Sequence, residues 1–351
     1  MLVIRPVETK DLDRLYELAN LAGFGLTSLP KDEKVLKSRI VESVHSFAKP
    51  AEKPRGELYI FVLEDVEKGI VAGTSNILSK VGGFEPFYAY KIQTCVHESK
   101  ILSIRKEIQS LLLVAEHSGP TEIGGIYLAP EYRKHGVGRL LSLFRFVFMA
   151  LDPKRFEPKV IAEIRGVVDD RGQSPFWEAL GRHFFDMDYS KADLLSIANK
   201  RFIADLMPTC PIYVPLLPPE AREVLGKAHE QAKPALRMLE EEGFAYSGMV
   251  DIFEAGPIVE CPLGHIRTVK ESRLTTVDQI TTGQMDSPPF IIARSQGDFR
   301  ACMGAVDETP LEGIRISVQV AETLSLSLGD KVMISPLRSL PSQTKPLVGV
   351  H

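Results

Sequence analysis

The chain has 351 residues, 44% of them hydrophobic and 25% charged, and a formal net charge of −4. This length suits two domains around cores large enough to need no covalent staples. The slightly acidic balance excludes a broad electrostatic surface for nucleic acid or anionic membrane, but it leaves room for a local basic pocket. The four cysteines, Cys95, Cys210, Cys261 and Cys302, form no CxxC pair, so no zinc knuckle or dense disulfide framework is expected. No metal and no prosthetic group is expected either. The opening MLVIRPVETKDLDRL becomes charged at its fifth residue and lacks an apolar core of signal-peptide length. No later window is long and apolar enough to span a bilayer, so the expected compartment is the cytoplasm, with the cysteines reduced.

Residues Leu2 to Arg5 read as a short strand. A helix follows with apolar positions Leu12, Leu15, Leu18 and Ala19, capped by Thr9 or Asp11. Val35 to Phe47 is a second predicted helix, and the proline-bearing run from Lys49 to Arg55 is a loop. LYIFVL (Leu58 to Leu63) and IVAGTSNIL (Ile70 to Leu78) are strands joined by a turn at Glu67-Lys68-Gly69. The run from Val81 to His117 leaves its details open. Glu122 to Leu128 is a strand. Gly136 to Leu151 is a helix with one broad apolar face, Val160 to Ile164 a strand, and Pro175 to Leu180 a short helix. A proline cluster from Pro208 to Pro219 suggests a crossover between residues 1–207 and 208–351. Beyond it, a helix starting near Glu220 is expected to carry His229 on the face of Leu225, Ala232 and Leu236, and to kink just past it at Pro234. Strands near Met249 to Phe253, Ile258 to Glu260, Ile314 to Val320 and Lys331 to Ser335 complete the chain, which ends in a loose tail.

The informative segment is Leu128-Ala-Pro-Glu-Tyr-Arg133-Lys-His-Gly136-Val-Gly138-Arg139, between an apolar strand and an amphipathic helix. A glycine-bearing turn that opens a helix aims several backbone N–H groups at one spot, and the helix dipole adds positive potential there. Gly136 and Gly138 let a phosphate approach the backbone, while Arg133, Lys134 and Arg139 bring cationic side chains. There is no GxxxxGK[ST] and no GxGxxG after a first strand, which excludes the nucleotide P-loop and the dinucleotide fingerprint. The strand-x-Pro…Arg-x-x-Gly-x-Gly-helix pattern resembles the pyrophosphate loop of GNAT acyl-CoA transferases. That resemblance implies an α+β fold: a mixed, mostly antiparallel sheet with splayed central strands, flanked by helices, plus a smaller C-terminal α/β domain. It also implies that main chain at the splay, around Ile126 and Leu128, pairs with pantetheine and offers an N–H to the thioester carbonyl.

Longer segments are similar to the arginine N-succinyltransferase family: MLVIRPVETKDL, GLTSLP, FVLED, the run from Ala162 to Asp193, FIADLMPTCPIY and EEGFAYSGMVDIFEAGP. The resemblance covers most of the chain and thins after about Arg273. It implies transfer of succinyl from succinyl-CoA to the α-amine of L-arginine, as the first step of an arginine-catabolic route. The acyl-CoA residues it implies are Ile126, Leu128, Arg133, Gly136 and Gly138. Many GNAT enzymes carry a proton-donating Tyr where FWEALG here has Trp177, which cannot serve as an acid. The family's proton-donating histidine matches His229, whose intrinsic pKa of about 6.5 suits proton exchange at neutral pH.

For the guanidinium, Asp169, Asp170, Asp186 and Asp188 are open candidates. Arg165 is a candidate for the succinyl carboxylate and Glu122 for a base acting through water. His183 reads as structural. An oligomer, with a paralogous subunit as one form, is expected, with no nucleic acid or membrane partner. Two alternatives stay open: an N-acyltransferase for ornithine or another small amine, and a non-catalytic acyl-CoA-binding subunit.

Overall fold

The computed structural model describes residues 1–22, 28–50, 52–169, 172–198 and 200–338. Gly25 to Thr27 of GLTSLP, and Asp170, lie outside these residues. β1 (Leu2–Pro6) leads into α1 (Leu12–Leu21), which buries Leu15, Leu18 and Ala19. Asp11, at the entry to α1, is buried and accepts from Arg5 Nη1 and Nη2 at 2.8 and 2.9 Å, so the helix start is tied to the strand before it. α2 (Glu33–Ala48) begins at Asp32, whose carboxylate accepts from the N–H groups of Lys34 and Val35.

β2 (Leu58–Asp65) and β3 (Ile70–Leu78) form the expected hairpin. The stretch that sequence leaves open is a long hairpin of β4 (Gly82–Ser99) and β5 (Ile104–Ser118). β6 (Thr121–Leu128), α3 (Val137–Leu151) and β7 (Lys159–Glu163) follow. After several short helices come β8 (Ile212–Tyr213), β9 (Ala245–Val250) and β10 (Pro257–Pro262). The last strands are β11 (Arg273–Thr281), β12 (Pro289–Arg294), β13 (Ala301–Ala305), β14 (Asp307–Glu308), β15 (Ile314–Ser317) and β16 (Lys331–Pro336).

Among the described residues these strands join in one sixteen-stranded sheet, in the order β14-β15-β11-β16-β12-β13-β1-β2-β3-β6-β7-β10-β9-β4-β5-β8. Its pairs are antiparallel except β6 with β7 and β11 with β15. This is the mixed, mostly antiparallel, helix-flanked architecture expected. The C-terminal strands join the rest where β13 pairs with β1, Val3 opposite Cys302 and Ile4 opposite Ala301. β9 and β10, beyond residue 208, pair with β4 and β7 of the preceding segment.

α3 packs its apolar residues across β2 and β3, and Phe61 touches Phe144 and Phe148 edge-on at 4.8 and 5.1 Å. A second core gathers around Trp177, Phe176 and Tyr90 beneath the long hairpin. No described helix is long and apolar enough to cross a membrane.

Two expectations are corrected. The strand expected near Ile314 to Val320 ends at Ser317, whose side chain caps the helix Val318–Leu324. No helix runs through His229: one spans Pro219–Val224 and the next begins at Lys233. Gly226, with φ +67°, ends the first. Pro234 sits in the first turn of the second, where its missing N–H costs nothing. His229 therefore lies on a turn between two helices rather than on a kinked helical face.

Candidate active site

β6 and β7 run parallel but pair only at Thr121 with Val160 and at Glu122 with Ile161. Beyond these residues the strands separate. β7 continues its pairing with β10 on its other side, from Lys159 to Glu163. β6 is deformed at the same level. Gly125 has φ +62°, and the register against β3 slips between Thr74 and Asn76. A β-carbon on Gly125 would stand 2.4 Å from Asn76 Nδ2, so the glycine is required by this bulge. The gap opens into a cavity of about 470 Å³, walled by Gly124, Gly125 and Ile126 on one side and by Ala162 to Arg165 on the other.

The cavity is lined with charge. Glu163, Asp193, Asp251 and Glu254 form one wall. Glu254 accepts from the Gly166 N–H at 2.7 Å and from the Tyr189 hydroxyl at 2.8 Å. Asp251 Oδ1 accepts from the N–H groups of Phe253 and Glu254, both at 2.7 Å. Burial, and then the neighbouring Asp251 charge, push Asp193 up to about 7 and Glu254 up to about 8. Burial also raises Glu163 well above the carboxylate range, with Glu122 and Asp251 adding to it. Arg39, Arg145, Arg165 and Lys200 also line the cavity, together with Glu42 and Glu122. Arg145 is 3% exposed. Its guanidinium donates to Ser142 O at 2.9 Å, to Ser142 Oγ at 3.2 Å and to Gly124 O at 3.3 Å.

His229 lies beside the β7 end of this cavity. Its backbone N–H donates to the Arg165 carbonyl at 2.9 Å. Its Nδ1 accepts the Gln231 N–H at 3.1 Å, which leaves the proton of the neutral ring on Nε2. Partial burial, and then the Arg165 charge, lower its pKa below the ordinary value.

At the far end of β6 the chain turns through Pro130–Tyr132 into α3. Tyr132 anchors this turn by donating to Asp65 Oδ2 at 2.9 Å. His135 and Gly136 take consecutive left-handed conformations, φ +51° and +79°. The first N–H groups of α3 are thereby presented at the end of the splayed strand. Arg133 is exposed, with Nε donating to Leu128 O at 2.9 Å. Arg139, expected beside the same anion, is engaged instead with Glu241 at 2.6 Å. Ile126 lines the cavity, while Leu128 is buried in the core behind the turn.

Trp177 does not line the cavity; it sits one layer behind it, in ring contact at 5.5 Å with Phe253, which does. Its indole N–H donates to Met187 O at 2.9 Å, and its ring stacks on Phe185 at 5.3 Å. Of the acids considered for the guanidinium, Asp186 is an exposed helix C-cap and Asp188 pairs with Arg182 at 2.7 Å. Asp169 accepts from the Gln173 N–H in a turn. Of the acids that line the cavity, Glu122 was a sequence candidate, whereas Asp193, Asp251, Glu254 and Glu163 escape sequence reasoning. Their available signal is ionisable residues set in apolar runs, as in VDIFEAG, and likewise Arg145 within LLSLFRFVFMAL.

A splayed parallel pair, a cavity at the splay and a glycine turn opening the next helix define the acyl-CoA N-acyltransferases of the GNAT kind. Two adjoining family models match the chain. "Arginine N-succinyltransferase beta subunit" covers residues 2–268, and the corresponding C-terminal domain model covers residues 273–336. Arginine N-succinyltransferase of Escherichia coli strain 55989 is 42% identical over 337 residues, 95% of this chain and 97% of that protein. The enzyme of Enterobacter sp. strain 638 is 43% identical over the same shares. Among solved structures, arginine/ornithine succinyltransferase subunit AI from Pseudomonas aeruginosa superposes with a TM-score of 0.88 at 36% identity, covering 97% of this chain and 99% of that one. The chain belongs to the arginine N-succinyltransferase family, and it is an acyltransferase that uses a CoA thioester.

Proposed function

We propose that this chain transfers the succinyl group of succinyl-CoA to the α-amine of L-arginine. Family membership supports the reaction, and the observation that carries its location is the parting of β6 and β7 after Glu122 and Ile161. CoA lies with its pyrophosphate on the turn Arg133 to Gly138 and its pantetheine along Ile126 to Leu128. The exposed main chain of β6 supplies the N–H that stabilises the oxyanion. The neutral amine attacks the thioester carbon with no covalent enzyme intermediate, and the proximity of the two bound substrates supplies much of the rate. His229, contributed by the segment after residue 208, donates from Nε2 to the departing sulfur, and the proton released by the amine restores the balance. The acidic wall of the cavity takes the guanidinium, a role for which Asp193, Asp251 and Glu254 replace the four loop aspartates first considered.

The reading extends to a cytoplasmic setting, since all four cysteines are free. It also extends to assembly with further copies or a related subunit: the matching family is that of a beta subunit, and the similar Pseudomonas aeruginosa structure is of subunit AI. The test is turnover on the isolated chain, with succinyl-CoA and acetyl-CoA as donors and arginine and ornithine as acceptors, product mass being read alongside thiol release. Succinyl-CoA with arginine is expected to give the highest kcat/KM. Equal values for acetyl-CoA would make the chain a general acetyltransferase, preference for ornithine would exchange the acceptor, and CoA binding without turnover would favour a non-catalytic subunit.

A further inference from the structure

We infer that Arg145 and Arg39 form the subsite that receives the terminal carboxylate of the acyl donor. Arg145 sits in the middle of α3, with apolar residues on both sides and only 3% of its surface exposed. Its three hydrogen bonds all go to neutral acceptors. Among the described residues no carboxylate lies within ion-pairing distance of it, whereas the buried Arg5 is ion-paired with Glu8, Asp11 and Glu64. Arg39 reaches the same cavity from α2, and its Nε is buried without a hydrogen-bond partner. Burial disfavours both guanidinium charges: Arg145, with no opposing charge acting on it, falls to about 9, where it is still protonated at neutral pH, and Arg39 is lowered although Glu42 and Glu122 partly offset its burial. Such an arrangement is costly in the empty protein. A bound carboxylate would relieve it.

The position selects which carboxylate. The proposed pyrophosphate turn follows the end of β6 at Leu128, and the pantetheine runs back along Ile126. The bulge at Gly124–Gly125 is four residues upstream of Leu128, roughly 13 Å along a strand. Arg145 donates to the carbonyl of Gly124. An acyl chain continuing past the thioester in the same direction therefore points its far end at Arg145. The acceptor's guanidinium takes the side of Asp193, Asp251 and Glu254. A four-carbon dicarboxylic thioester would bring its free carboxylate to the two guanidinium groups, whereas a monocarboxylic thioester of equal length would leave Arg145 without a counter-charge.

This inference rests on the acyl-CoA reading, and the test separates the two. Wild type, Arg145→Met and Arg39→Gln are compared for kcat/KM and Kd with succinyl-CoA, butyryl-CoA and free CoA, with arginine and its decarboxylated analogue agmatine as acceptors. Arg145→Met is expected to lower kcat/KM for succinyl-CoA by about 10- to 100-fold, the scale of one or two charge-assisted hydrogen bonds. Butyryl-CoA and free CoA should be unaffected, so the preference for succinyl over butyryl collapses. Arg39→Gln should show the same pattern more weakly, and it carries the test alone if the Met variant does not fold. An unchanged succinyl-to-butyryl ratio in the folded variants overturns the subsite. Loss of the arginine-to-agmatine preference, with donor preference intact, overturns it in favour of the acceptor's carboxylate. Absence of binding of free CoA or any acyl-CoA to the wild-type chain would instead remove the acyl-CoA reading, and the subsite with it.

Discussion

His229 shows how a short polar turn equips a single residue. Its main chain is held by the Arg165 carbonyl, and its Nδ1 is occupied by the Gln231 N–H, so the ring is oriented without a carboxylate partner. The residue is half-buried and packs little. Its replacement should therefore remove chemistry without removing much core. His229→Ala is expected to lower kcat by about 10²- to 10⁴-fold, the usual range for a general acid. Melting temperature and CoA affinity, measured on the same preparation, should change little. A fall in activity that only tracks the folded fraction would mark the histidine as structural and place the acid elsewhere. The residue type and its position were legible in the sequence through the family resemblance. Its local geometry was not, because helical spacing continues across Gly226 and Pro234 on paper, while their backbone preferences end one helix and start another.

At the scale of elements, the turn between β6 and α3 makes the clearest distinction between two glycines that look alike in sequence. Gly136 has φ +79°, and a β-carbon on it would stand 3.3 Å from the Leu337 side chain. A valine there is strained by about 1–2 kcal/mol before any ligand is considered. Gly138 has no such constraint, and its nearest neighbour to a built β-carbon is Leu128 Cδ2 at 4.0 Å. Gly138→Val is therefore the cleaner probe of the pyrophosphate placement. It should raise the KM for the acyl-CoA about tenfold or more, with a melting temperature near that of the wild type, by obstructing close approach to the backbone. Gly136→Val should raise the same KM and also lower the melting temperature. An unaltered KM in a folded Gly138→Val protein would move the pyrophosphate off this turn. The strand, the turn and the helix were each visible in the sequence, since period-2 and period-3.6 apolar patterns meet there. The separation of the two glycines by φ is a property of the folded turn.

Across the whole molecule, the cavity gathers acids from β7, from the helix Tyr189–Ala198 and from the segment joining β9 to β10. A carboxyl whose pKa is raised on folding binds its proton more tightly in the folded chain than in the unfolded one. Its contribution to stability is therefore complete below the unfolded value of about 4, and it is lost as pH rises through the folded value. That value is about 7 for Asp193 and about 8 for Glu254. The empty protein is accordingly expected to lose thermal stability on going from about pH 6 to about pH 8.5, as the acids ionise beside one another. Glu254→Gln keeps an acceptor for the Gly166 N–H, and it should flatten that slope in a melting series over the same range. A slope equal to the wild type would remove Glu254 from the cluster's titration. By itself, the sequence determined the class of the protein, most of its strands and helices, and the glycine turn, because local periodicity and short contiguous motifs carry that information. The tertiary structure alone decided where β6 and β7 part, which acids face one another and that the buried Arg145 lacks a counter-charge. Apart from Asp251 and Glu254, which share a turn, those residues come from segments far apart in the chain, and only the packing of the sheet brings them to one cavity.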